Sequence, residues 1–169
     1  MPPALLAQVL AAQTFNQGYL TCEYIATALI DLAWHDRALA DMPEAAQIQE
    51  FEAAALRRHG FDGAAVPPRY HSQYCLHIFA GGYDAGYYAY IWSEVLARDT
   101  GQWLHSRGGL CRANGAALRA GILERGRSED PQILFRDFYG GPPDIAPLLA
   151  YRALQLPPDQ AASARRSDS

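Results

Sequence analysis

Lysine is absent from the 169 residues, so all basic charge rests on arginine, and the arginines gather into no patch. With a net charge of −4 and only 19% charged residues, the chain has no electrostatic footprint for a nucleic acid, which is excluded as a partner. Cysteine is scarce as well: Cys22, Cys75 and Cys111 are odd in number, far apart and form no CxxC pair. That pattern excludes a disulfide framework and a structural zinc site and leaves free thiols. No apolar run is long enough to span a bilayer, and the opening MPPALLAQVLAAQ lacks a basic start, so no membrane partner is expected and the cytoplasm is the expected location. Alternating apolar and polar stretches long enough for a sheet are also missing.

What remains is apolar and helical. Half of the residues are hydrophobic, an amount that leaves apolar surface over for a neighbouring chain or domain and for self-association. Helices are expected from Pro3 to about Ala12, from Tyr19 to about Ala40, from Pro43 to Arg58 with a stop at Gly60, and from Tyr83 to about Arg107. Three shorter ones follow over Arg112 to Glu124, Pro131 to Tyr139 and Ile145 to about Ala153. The second is apolar nearly all round, its polar exceptions Glu23, Thr27 and Asp31 recurring every fourth residue and so forming one stripe. Asp62-Gly63 reads as a turn, and RYHSQYCLHIFAGG as an extended stretch leading into a loop. Residues 156–169 are expected to form a disordered tail, and residues 1–155 before it have the length of a single compact unit. The fold class is all-α.

The segment GGYDAGYYAY, Gly81 to Tyr90, carries the densest chemistry. On a helix from Tyr83, the phenols of Tyr83, Tyr87 and Tyr90 share a face that Glu94 extends, while Tyr88, Trp92, Val95 and Leu96 form the packing side. Gly81 and Gly82 allow a sharp turn just before it. A phenol is a neutral donor at physiological pH and can serve an oxyanion without bringing a full charge into the site. The same spacing equally describes aromatic core packing, and His77 equally a ligand, a proton donor or a buried, satisfied histidine. The segment lacks the GxxxxGK[ST] order of a phosphate cradle.

FNQGYLTCEYIATALIDLAWH, PPRYHSQYCLHIFAGGYDAGYYAYIWSEVLARD and GGLCRANGAALRAGILERGRSEDPQILFRDFYGGPPDIAPLLAYRAL closely resemble the C-terminal part of the thimet oligopeptidase and oligopeptidase A family, above all its peptidyl-dipeptidase branch. The resemblance runs from Met1 to about Leu154 and implies the C-terminal helical portion of a zinc peptidase catalytic domain that hydrolyses short peptides in a deep channel. Family members hold zinc with HExxH and a further glutamate, the metal polarising the scissile carbonyl and activating water. Neither element occurs here: His35, His59, His71, His77 and His105 include no pair at that spacing with glutamate between them. The family motif lies upstream of the resembled segment, so zinc is expected in the family enzyme and is not bound by residues of this chain.

By position in the motif, the resemblance makes Tyr83 and Tyr90 the catalytic, oxyanion-stabilising phenols. Tyr87 and His77 become substrate-binding residues, and Gly81 and Gly82 the hinge of a closing loop. Ala153 departs from a glycine common in relatives, without consequence for the chemistry. Two functions are expected: the substrate wall of a zinc peptidase, inactive without its zinc-bearing N-terminal region or chain, or a non-catalytic helical module that binds peptides or completes such a chain.

Overall fold

The computed structural model describes residues 1–61 and 65–154, and every regular element among them is helical. The expected turn at Asp62-Gly63 and the expected disordered tail lie outside the described residues. The chain divides into two compact units, residues 1–91 and 92–169, the division falling inside one helix.

In the first unit, α1 (Pro3–Ala12) starts at proline, whose missing N–H costs nothing at a helix start, and buries no residue. Helix α2 (Gln17–His35) follows and turns Ala26, Thr27, Ala28, Ile30, Asp31 and Trp34 inward. It ends five residues before its expected limit. Asp36 leaves the helical region, and the guanidinium of Arg37 donates through Nε to the Ala33 carbonyl at 2.8 Å, satisfying a last-turn acceptor. Only one face of α2 is sealed, since Tyr19, Leu20 and Leu32 stay exposed. A 3₁₀ turn at Ala45–Gln47, closed by a reciprocal Glu44–Gln47 capping box, leads into α3 (Ile48–Arg57), so the helix expected from Pro43 is two shorter pieces. Helix α3 packs on α2 with Phe51 against Trp34, ring centres 4.6 Å apart. The core of this unit joins Ala26, Ala28, Ile30 and Trp34 to Leu56, Cys75, Ile78 and Tyr87. The stretch Arg69 to Gly82, expected to run extended and then loop, is a chain of turns throughout, around a 3₁₀ turn at Leu76–Ile78.

Helix α4 (Ala89–Ser106) carries the division between the units. In the second unit its inward residues are Val95, Asp99 and Trp103, with Trp103 packed on Phe138 at 4.5 Å. Helix α5 (Arg112–Leu118) continues into a wider π-helical turn at Arg119–Leu123, where one regular helix was expected. Helix α6 (Pro131–Tyr139) has the expected limits: Asp130 caps it by accepting the Gln132 N–H at 2.7 Å, and Gly140 ends it at φ 92°. Helix α7 (Ala146–Tyr151) closes the described chain, anchored by Leu148 and by Tyr151 beneath the Arg98 guanidinium.

Candidate substrate-binding site

The stripe of polar residues on α2 is the foundation of the site. The Glu23 carbonyl accepts from the Arg69 N–H, and its carboxylate from Arg69 Nε, both at 3.2 Å. Four residues on, Thr27 Oγ1 accepts from the Tyr70 N–H at 3.2 Å. Four further, the two oxygens of Asp31 accept from the Ala85 N–H at 3.0 Å and the Tyr87 N–H at 2.9 Å. Buried backbone donors need partners, and a carboxylate is the strongest acceptor available, so one helix face secures both flanks of the segment 69–87. From α3, buried Glu52 accepts the Ser72 N–H at 2.5 Å and pairs with His71 Nδ1 at 2.7 Å, while Trp34 Nε1 donates to Ser72 Oγ at 2.6 Å. The four-residue period of Glu23, Thr27 and Asp31 was legible in the sequence, but what they hold was not.

The expected helix from Tyr83 begins only at Ala89: Ala85 sits at φ 55°, outside the right-handed helix, and the Tyr87 N–H, which such a helix would aim at the Tyr83 carbonyl, goes to Asp31 instead. The phenols therefore do not form one helical row. Only Tyr90 stands on α4, whereas Tyr83 and Tyr87 reach the site from turns, and they meet around His77. The imidazole Nε2 lies 2.9 Å from the Tyr90 hydroxyl. Tyr83 stacks on the same ring at 4.5 Å between centres, and Tyr87 meets it edge-on at 5.9 Å. Tyr83 and Tyr90 run parallel, 6.4 Å apart, each about half exposed (46% and 49%).

Tyr87 is different: only 5% exposed, it stacks on Tyr24 and belongs to the core, so it does not stand exposed beside Tyr83 and Tyr90 as the helical spacing led one to expect. Burial pushes its hydroxyl up to about 12 and raises that of Tyr24 too, keeping both protonated. The Tyr24 hydroxyl donates to the Tyr87 carbonyl. On the expected packing side, Val95 is buried but Tyr88 and Trp92 are exposed. Glu94, expected to extend the phenol row, pairs instead with Arg98 and Arg152 in the second unit. Gly81 and Gly82, at φ 76° and 77°, occupy the left-handed region that L side chains resist.

Beside His77 opens a cleft of about 550 Å³ lined by Tyr24, Arg69, Tyr70, Tyr74, Cys75, Leu76, His77, Tyr87 and Tyr90. Besides Tyr24, whose proton goes to the Tyr87 carbonyl, four phenols, an imidazole and a guanidinium line it with donors, and the lining holds no carboxylate. Tyr83 lies outside that lining, against the His77 ring. Arg69, Tyr24, Tyr70 and Tyr74 escaped the sequence reading; the only available signal was the aromatic density of RYHSQY around a single arginine. Arg69 is held by Glu23 through Nε, and its terminal amino groups bond to no described residue. The arrangement can grip a ligand rich in acceptors and carrying a negative end. Among the described residues, no group of three histidine, cysteine, aspartate or glutamate side chains is placed to hold a metal ion.

Residues 1–154 match Peptidase family M3. The chain belongs to that family. It is 44% identical over 156 residues to the dipeptidyl carboxypeptidase of Escherichia coli, covering 92% of this chain and 23% of the relative. To the dipeptidyl carboxypeptidase of Salmonella typhimurium it is 45% identical over 154 residues, 91% of this chain and 22% of the relative. Oligopeptidase A of Escherichia coli is 31% identical over 155 residues, again 92% of this chain and 22% of the relative. The M3 chain thus spans less than a quarter of the length of these relatives. Among the described residues, no helix is long and apolar enough to cross a membrane.

Proposed function

We propose that this chain supplies the substrate-holding wall of an M3 peptidase that acts on short peptides in the cytoplasm. The observation that carries the reading is the hydrogen-bonded His77–Tyr90 pair, with Tyr83 stacked on the imidazole, at a donor-lined cleft that contains Arg69. When a peptide bond is attacked, negative charge develops on its carbonyl oxygen. Neutral donors already aimed at that oxygen stabilise the charge without reorganisation, and one such donor is typically worth about 3 kcal/mol. Tyr90 and Tyr83 serve that role, while His77 contacts the substrate, Tyr87 offers only the small edge of its buried ring that lines the cleft, and Gly81 and Gly82 let the intervening turn adjust.

Arg69 gives the cleft a polarity. A guanidinium backed by a carboxylate and surrounded by phenols suits the free C-terminal carboxylate of a peptide, and relatives bearing the name dipeptidyl carboxypeptidase support a substrate with such an end. Zinc, which the family resemblance implies, would provide Lewis-acid activation of water. In this reading zinc is held by a zinc-bearing part of an M3 peptidase that this chain completes. The apolar face of α1, with Leu5, Leu6, Val9 and Leu10 all exposed, is the surface for that partner. A second reading, a non-catalytic peptide-binding module, draws support from the cleft being lined wholly by residues of the first unit.

Calorimetry with short free-acid peptides tests the shared claim. Micromolar to millimolar binding weakened severalfold by Tyr90→Phe is expected, and no binding would reject both readings. With zinc added, the chain alone is expected to leave internally quenched peptides intact. Turnover abolished by Tyr90→Phe would contradict that.

A further inference from the structure

We propose that Asp31 is a positioning residue of this site, setting where Tyr83 and Tyr90 stand on His77 although it touches neither ring. Asp31 is fully buried (0% exposed) on a helix whose neighbouring inward residues are mostly apolar. A buried carboxylate is costly unless its oxygens are satisfied, and an apolar side chain would fill the same place without that cost. What the carboxylate adds is direction. Its two oxygens take two N–H groups that are two residues apart, at Ala85 and Tyr87, which fixes the orientation of the intervening backbone as well as its distance.

The consequences run both ways along the chain. Toward the C-terminus, the Tyr87 and Gly86 carbonyls accept the first turn of α4, at 3.4 Å from the Tyr90 N–H and 3.0 Å from the Ala89 N–H, so the clamp sets the origin of the helix that carries Tyr90. Toward the N-terminus, the Gly86 N–H donates to the Tyr83 carbonyl at 2.9 Å, tying the clamp to the residue stacked on His77. Ala85 is kept at φ 55°, a conformation alanine seldom adopts, with its N–H on the Asp31 carboxylate. His35, one turn along α2, places Nδ1 2.9 Å from Asp31 and its ring 5.9 Å from Phe79, on the other flank of the loop. The two Asp31 bonds thus pin the loop at its C-terminal arm, while the other arm turns through Gly81 and Gly82 at φ 76° and 77°.

Histidine NMR and amide exchange on the 169-residue chain test this assignment. In the wild type, the His77 Hε1 resonance is expected to be displaced by the stacked Tyr83 ring, and the Ala85 and Tyr87 amides to exchange at least tenfold more slowly than those of Gly81 and Gly82. Asp31→Asn, which puts an amide donor against one of the two N–H groups, should move the His77 resonance toward that of an unstacked histidine. His59 and His105 should stay in place and the helical circular dichroism should be retained. An unmoved His77 resonance in folded Asp31→Asn would overturn the assignment, as would loss of the helical fold in that variant, which would make Asp31 a core element. Fast exchange at both amides in the wild type overturns it without recourse to a variant. The inference rests on the proposed site only for its meaning. Failure of peptide binding in calorimetry would remove the functional reading, whereas these readouts would still decide whether Asp31 positions the loop.

Discussion

Arg69→Gln separates recognition of a peptide's charged end from recognition of its backbone. Glutamine keeps an amide donor for Glu23 while removing the charge, so the turn at Arg69 and its backbone bond to Glu23 are expected to persist. A hydrogen bond to a charged group is worth about 1.5–3 kcal/mol. The Arg69 side chain is 39% exposed and already shares its charge with Glu23, and both facts weaken its net pull on a second anion. The expectation therefore sits at the low end, about 1.4 kcal/mol or tenfold in affinity. The assay is calorimetry of one tripeptide as its free acid and as its C-terminal amide. The wild type should prefer the acid about tenfold, and the variant should bind both with the affinity the wild type has for the amide. A variant that loses affinity equally for acid and amide would refute the reasoning, because the guanidinium would then be serving the cleft's shape and not the carboxylate.

Other perturbations follow from the same geometry. Glu52→Ala leaves the Ser72 N–H without its acceptor and strips His71 of its partner, so it should cost about 3 kcal/mol, read as a lowered midpoint in urea with the slope unchanged. The Tyr87 phenol ionises near 10 in the unfolded chain and at about 12 in the folded one. Its contribution is fully present below pH 10 and disappears as pH rises through 12, a loss of up to about 2–3 kcal/mol, checked by urea titrations at pH 9 and 11.5 with phenolate absorbance. Tyr139, also pushed up to about 12 by burial and then by the neighbouring Asp99, adds to the same alkaline loss. Leu6→Gln with Val9→Gln on α1 should change stability by less than about 0.5 kcal/mol, since that helix buries nothing, while abolishing co-purification with the zinc-bearing remainder of an M3 relative.

The parts of the fold that were legible are those specified locally. Pro131 with Asp130 before it and Gly140 after it encodes both ends of α6 within eleven residues, and Pro3 does the same for the start of α1. The start of α4 was not legible, because a helical period running back to Tyr83 is overruled by the left-handed Ala85 and by Asp31, more than fifty residues away, which claims the Tyr87 N–H that such a helix would need. Tyrosines at Tyr83, Tyr87 and Tyr90 look alike in a sequence, and only the path of the turn makes Tyr87 a core residue beneath two exposed rings. Arg69 carried no pattern of its own, its importance arising from the phenols that other segments bring around it.

The most direct test of the central claim is a titration of the 169-residue chain with a free-acid tripeptide, followed at the His77 Hε1 resonance. The account predicts a saturable shift at His77 that weakens in both Tyr90→Phe and Arg69→Gln. Saturable binding elsewhere that leaves His77 unmoved would contradict it, as would a His77 signal unchanged up to millimolar peptide.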